Sequence, residues 1–161
     1  MKCADIMRSP PTRLYVDDTV HNAIGALVQN HMYNLPVVDH DEVFAGELSA
    51  RRLIGLLLPG SVTMERGLTN VGFIRESVDE LLGRLNRVRA HPVSEYMATD
   101  IEVVYPDSPL IDALNLLYKK YIRIPVVDPD TRRLVGGISF ITLLRRIEDL
   151  DGRYFSDGAV E

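Results

Sequence analysis

The chain has 161 residues, 46% of them hydrophobic and 25% charged, the balance of a globular protein able to bury a sizeable core. Its net charge of −5 argues against a general nucleic-acid binder, and its single cysteine, Cys3, rules out an intramolecular disulfide. The charged opening is followed by no apolar stretch of leader type and no apolar run approaches the length of a membrane span, so the chain reads as cytoplasmic with no membrane partner.

In chain order, a short segment ends at Met7 and a brief extended stretch follows at residues 13–15. Asp18 then reads as the cap of a helix whose apolar face is Val20, Ala23, Ile24, Leu27 and Val28. The block Leu35-Pro-Val-Val-Asp39 is a β-branched run closed by turn residues and predicts a buried strand. His40-Asp41 supplies the turn, residues 43–48 return as a second strand, and Ser49 opens a second helix with Leu53, Ile54 and Leu57 on its apolar face. Residues 59–73 read as irregular. Ser77-Val-Asp-Glu80 is a capping-box pattern that starts an amphipathic helix over 77–90, ended by Pro92. Arg84, Arg87 and Arg89 lie toward its C-terminal end, where cations suit the helix dipole.

The same order then returns. A segment ends at Met97, residues 102–105 are extended, and Ser108 with Pro109 opens a helix carrying Leu110, Ala113, Leu114 and Leu117. Ile124-Pro-Val-Val-Asp128 predicts a strand, Pro129-Asp130 its turn, and residues 134–138 the returning strand. Ser139 precedes a helix with Leu143, Leu144 and Ile147, and residues 149–161 read as a polar, frayed tail.

Four blocks recur in one order, which makes the chain an internal repeat. Cys3–Met7 matches Val93–Met97, and Tyr15-Val-Asp-Asp18 matches Tyr105-Pro-Asp-Ser108. The two Pro-Val-Val-Asp strands match, and so do Ala45-Gly-Glu-Leu-Ser49 and Val135-Gly-Gly-Ile-Ser139. The expectation is an α/β (α+β) protein of two β-α-β-β-α repeats. Residues 1–58 form repeat one, 59–92 a linker with its helix, 93–148 repeat two and 149–161 the tail.

These blocks resemble the CBS domain, named after cystathionine β-synthase, and two in tandem resemble a Bateman module. The resemblance implies copies packed about a pseudo-two-fold axis, with clefts between them that take adenine nucleotides or S-adenosylmethionine, and modules that pair into homodimers. It implies a regulatory or sensor module acting in trans on an unidentified partner, with no required cofactor. AMP, ADP, ATP, NAD(H) and S-adenosylmethionine are the candidate regulatory ligands.

The resemblance also implies site residues. Leu35, Pro36 and Val37, with Ile124, Pro125 and Val126, would cover an adenine ring, although the valines read first as core. Arg13, Leu14, Val103 and Val104 match the segment at the adenine edge. Ser49 and Ser139 read as helix caps or as sugar and phosphate contacts, two compatible roles. The family's pattern continues to an aspartate three residues later whose carboxylate accepts from ribose hydroxyls. Arg52 and Thr142 stand there instead, and arginine cannot accept a hydrogen bond. Arg51 and Arg52 either face a phosphate or are solvated. Arg123 matches a phosphate-contacting position, with Asn34 as its counterpart, or is an exposed turn residue.

No convergent catalytic set is evident, and the chain is not read as an enzyme. Cys3 reads as a packing residue. His40 among Asp39, Asp41 and Glu42 reads as a polar turn before a metal site, and Gly136-Gly137 as a close strand approach. The alternative function is a ligand-free dimerisation or docking module presenting Phe140, Leu144 and residues 53–58. A nucleic-acid reading of the arginines at 84, 87, 89, 132, 133, 145 and 146 is weak for want of interleaved aromatics.

Overall fold

A computed structural model describes residues 1–9, 11–60 and 75–156. The irregular stretch expected at 59–73 lies almost wholly outside these residues. The elements run β1 (Leu14–Tyr15), α1 (Val20–Gln29), β2 (Asn34–Val38), β3 (Phe44–Ser49), α2 (Ala50–Leu57), α3 (Val78–Val88), α4 (Leu110–Lys119), β4 (Arg123–Val127), β5 (Leu134–Ser139) and α5 (Phe140–Ser156). Short 3-10 turns at Cys3–Asp5 and Val93–Glu95 open the two copies. The mixed α+β class and the twofold repetition of elements are as the sequence predicts.

The chain divides into two compact units, and each draws on both copies. The first holds residues 1–12, 40–44 and 100–161, the second residues 13–39 and 45–99.

In the second unit, β1, β2 and β3 form one sheet in that order, with β1 parallel to β2 and Leu14 opposite Val37. Every residue of β2 is buried, so its run of branched residues reads as continuous rather than alternating. The core comprises Leu14, Val20, Ala23, Leu27, Leu35, Val37, Leu48, Leu53 and Val93. Val93 comes from the second copy's leading arm, which also pairs with β3: Glu47 N donates to Ala98 O at 2.9 Å and Ala98 N to Glu47 O at 2.8 Å. Gly46 is required here, because a Cβ would overlap the Ala98 carbonyl oxygen.

Helix α3 packs its Leu85 and Val88 onto this core. Its N-terminus has the predicted capping box, with Ser77 Oγ accepting from Glu80 N and Glu80 accepting from Ser77 N. Glu80 is thereby held below the usual carboxylate range by the Ser77 amide and hydroxyl. Arg84 serves another helix's end: its Nε donates to the Leu57 carbonyl that closes α2, and its Nη2 pairs with Glu76 at 2.6 Å. Past α3, the carbonyls of Arg89 and His91 accept from His21 N and Val20 N, satisfying the opening amides of α1.

The first unit mirrors this construction. Strands β4 and β5 are antiparallel, with a bulge between Val126 and Val127. The leading arm of copy one completes it: Cys3 N donates to Ser108 O, Ala4 N to Pro106 O, and Arg8 exchanges both backbone bonds with Gly137. Cys3 is fully buried with Ile6, Val104, Ala113, Leu117, Ile124, Val126 and Ile138, the packing role expected of it, and burial pushes its thiol pKa up. Gly136 leaves room for Met7, whose Sδ would lie 2.8 Å from a Cβ there. Two turns also meet in this unit: Phe44 N donates to Arg132 O and Leu134 N to Glu42 O.

Several local expectations are corrected. Asp18 is not the cap of α1. Thr19 is, its Oγ1 accepting from Asn22 N at 3.1 Å, while Asp18 Oδ2 closes the preceding turn by accepting from Tyr15 N at 2.7 Å. Ser108 does the same for Tyr105 N at 3.1 Å, so α4 starts at Leu110 behind Pro109, without a side-chain cap. Short polar side chains serve turns and caps equally well. Residues 102–105 form no strand; Val104 makes a single parallel bridge to Val126. Val28, Ile54, Leu144 and Ile147 are exposed rather than packed. Helix α5 runs to Ser156, past the expected boundary at Glu148, with Leu150 extending the apolar spacing of Ile147. No helix among the described residues is long and apolar enough to cross a membrane.

Candidate functional site

The second unit holds a cavity of about 360 Å3 lined by Glu47, Ser49, Arg51, Arg52, Gly55 and Ala98. That volume falls at the lower end of the ~300–1,000 Å3 common for small-molecule sites. It lies where β3 turns into α2. Ser49 is the N-cap of α2, its Oγ accepting from Arg52 N at 3.1 Å. The remaining early amides and two guanidiniums give this end of the cavity a positive character.

Arg52 is not simply solvated. Its Nε donates to the Tyr96 carbonyl at 2.9 Å, tying α2 to the end of the 93–95 turn. That bond explains how a cation is held in a first turn whose dipole disfavours it. Asn34 is buried at the start of β2, and its Nδ2 donates to Glu47 Oε1 at 2.8 Å. Glu47 is itself only 8% exposed. Its significance is visible in the sequence only by comparing copies: it stands where copy two has Gly137.

Around the ring-covering positions, Leu35, Pro36, Val37, Ile124, Pro125 and Val126 are all buried, so their side chains build the two cores. Leu14 is buried beside Val37. Arg13 is half-buried, with its guanidinium over the Tyr15 ring at 5.7 Å. Val103 is half-buried, and Val104 is buried, with its N donating to Pro125 O at 3.1 Å.

The equivalent place in the first unit is built differently. Arg123 lies along Gly137, its Nη1 3.5 Å from where a Cβ would stand. Thr142 Oγ1 accepts from Ser139 N at 2.7 Å and donates to Ser139 O at 2.8 Å, while Ser139 Oγ accepts from Thr142 N. This is a capping box with threonine in the reciprocal position. The one hydroxyl hydrogen of Thr142 is therefore committed to the backbone.

The turn containing His40 brings no metal-binding group together: no cluster of three His, Cys, Asp or Glu exists among the described residues. Asp128, at the matching turn, is held below the usual carboxylate range chiefly by the Thr131 amide and hydroxyl, with a further bond from Asp130 N.

Among known proteins, the chain is 28% identical over 130 residues to a CBS domain-containing protein of Dictyostelium discoideum, covering 80% of this chain and 79% of that one. It is 32% identical over 124 residues to the CBS domain-containing protein CBSX1, chloroplastic, of Arabidopsis thaliana, covering 75% of this chain and about half, 52%, of that one. Its fold matches the crystal structure of Arabidopsis thaliana CBSX2 in complex with AMP, at a TM-score of 0.68 and 24% identity, over 93% of this chain and 98% of the other. It also matches the CBS domain pair of MJ0100 in complex with 5′-methylthioadenosine and S-adenosylmethionine, at 0.62 and 17%, over 92% and 97%. The CBS domain family itself matches residues 3–59 and 93–149, the two copies of the repeat, and the chain belongs to that family as a tandem pair.

Proposed function

We propose that the chain is a regulatory module that binds an adenine nucleotide or adenosyl ligand and acts in trans on a partner protein, without catalysing a reaction. The candidates are AMP, ADP, ATP, NAD(H) and S-adenosylmethionine, and the protein works in the cytoplasm as a homodimer. The observation that carries this reading is the cavity at the start of α2, where Ser49, Arg51 and Arg52 surround a helix N-terminus suited to a phosphate. The AMP complex of one related pair and the S-adenosylmethionine complex of another support the ligand class. The site residues proposed in the other copy are Arg123, Ser139 and Thr142. A ligand-responsive partner would sense the change in population between bound and free states.

Thermal unfolding against that ligand panel tests the proposal. A ligand at about 100 times its dissociation constant adds ~2.7 kcal/mol, a readily measured rise in Tm. A rise with one member supports the reading, and no rise with any member overturns it.

A second reading, a ligand-free module that dimerises or docks, is favoured by a specific observation. Phe140, Leu144 and Ile147 of α5 are 45%, 57% and 51% exposed, and Ile54 of α2 is 58% exposed. Sedimentation equilibrium on the Leu144→Glu variant separates the cases: a loss of dimer with unchanged ligand binding assigns these residues to assembly alone.

A further inference from the structure

Helix α2 carries a glycine that neither its backbone nor its packing requires. Gly55 stands inside the helix, where only proline is less favourable than glycine. No described glycine has a positive φ, so the backbone at Gly55 is open to any residue with a side chain. A Cβ there would meet no atom within 4 Å, so no neighbour excludes one. Its place is what sets Gly55 apart: it lines the cavity together with Ser49, Arg51 and Arg52. It follows Arg51 by four residues and Arg52 by three, and so lies on the same helix face, one turn further along. A side chain at this position would enter the volume that the two arginines border.

We propose that Gly55 is the specificity-determining residue of this cavity: it leaves open the space along α2 into which a ligand held at Ser49, Arg51 and Arg52 extends, and so sets the size of ligand admitted. The inference rests on the nucleotide-binding reading above and deepens it. The cavity, about 360 Å3, is already small for a small-molecule site, so one large side chain would remove a substantial part of it. The helix gives up stability at Gly55 in return for that space, a common exchange at binding sites.

Other positions supply the contrast. Arg145 follows Ser139 at the distance at which Gly55 follows Ser49, so the matching place on α5 accepts a large side chain. The fold itself therefore does not call for glycine there. Gly83 of α3 also faces open space within a helix, but it is not among the residues lining the cavity. It serves as a control for helix propensity alone.

Calorimetric titration of the full chain with AMP, ADP, ATP, NADH and S-adenosylmethionine tests this on wild type, Gly55→Leu, Gly55→Gln and the control Gly83→Gln, with a thermal melt of each free protein. Leucine and glutamine are both better helix formers than glycine, so all three variants are expected to melt at or above the wild-type Tm. Both Gly55 variants are expected to bind at least tenfold more weakly each compound that wild type binds, whereas Gly83→Gln keeps wild-type affinity. Higher stability with lower affinity is a split that a merely structural glycine would not produce. Wild-type affinity in the Gly55 variants overturns the assignment of Gly55 while leaving nucleotide binding intact, and so does an equal loss of affinity in Gly83→Gln. No heat from any of the five compounds with wild type overturns the nucleotide reading itself, and the assignment with it. Gly55→Gln is polar and suits a half-exposed helix face, so it decides the matter even if Gly55→Leu folds poorly.

Discussion

Asn34 Nδ2 lies 2.8 Å from Glu47 Oε1, and the pair occupies the positions held in the other copy by Arg123 and Gly137. One copy thus fills the space with a short amide and a carboxyl, the other with a guanidinium laid along a residue that has no side chain. In each copy the two positions lie against each other.

Removing one partner of the buried pair leaves the other without its bond. Asn34→Ala is expected to destabilise the fold by about 1–3 kcal/mol, the penalty for a buried polar group stripped of a partner. Glu47→Gln, which keeps an acceptor for Asn34, is expected to cost much less. Urea unfolding with a double-mutant cycle over the two sites measures the coupling, and a coupling indistinguishable from zero would show that the pair does not act as a unit.

The two glycines that admit the leading arms differ in what confronts them. A Cβ at Gly46 meets the Ala98 backbone carbonyl, whereas one at Gly136 meets the side chain of Met7. Backbone cannot step aside as a methionine can. Gly46→Ala is therefore expected to cost about 2–3 kcal/mol, toward the upper part of the overpacking range, and Gly136→Ala less. Adding Met7→Ala to Gly136→Ala should recover part of that loss in chemical denaturation. A larger loss for Gly136→Ala than for Gly46→Ala would contradict the geometry.

Much of this fold is legible in the sequence, because periodicity and turn chemistry act locally. The strands around Leu35 and Ile124, the cap at Ser49 and the capping box at Ser77 are all written in short windows. The exchange of leading arms is not. Val93 fits an apolar core equally well in either unit, and only long-range backbone pairing such as Glu47 with Ala98 decides where it goes. Asp18 and Ser108 misled for a different reason: the same side-chain oxygen can close a turn behind it or cap a helix ahead of it. At the site, Arg52 and Thr142 were visible as departures from the family pattern, but their bonds to Tyr96 O and Ser139 were not. Glu47 has no sequence signal of its own, because a single charged residue in a strand makes no motif.

Glu42 and Arg132 occupy corresponding places in the two turns that meet in the first unit, with φ of 65° and 61°. A non-glycine residue in this left-handed region costs about 1–2 kcal/mol, against ~0.5–1 kcal/mol of added backbone entropy for glycine. Glu42→Gly and Arg132→Gly are each expected to leave stability unchanged or raise it by up to about 1 kcal/mol. Proline at either position would be strongly destabilising, since its ring forbids a positive φ. Thermal melts of the four variants check both halves of this statement.

Asp128 links the second hairpin turn to pH. Its carboxylate accepts from Thr131 N at 2.7 Å, Thr131 Oγ1 at 2.9 Å and Asp130 N at 3.1 Å, and these bonds lower its pKa. A group whose folded pKa is depressed contributes stability that is present above its unfolded value, about 3.9, and is lost as pH falls through the lower folded value. Glu80, lowered by the Ser77 amide, follows the same sign near an unfolded value of about 4.3. The stability difference between wild type and Asp128→Ala should therefore be constant above about pH 5 and shrink steadily below about pH 4. The Thr131→Ala variant, which removes one of the three donors, should narrow the pH-dependent part without abolishing it. Urea unfolding from pH 3 to pH 7 reads both trends, and a difference that grows as the solution is acidified would contradict the assignment of these bonds to the charged carboxylate.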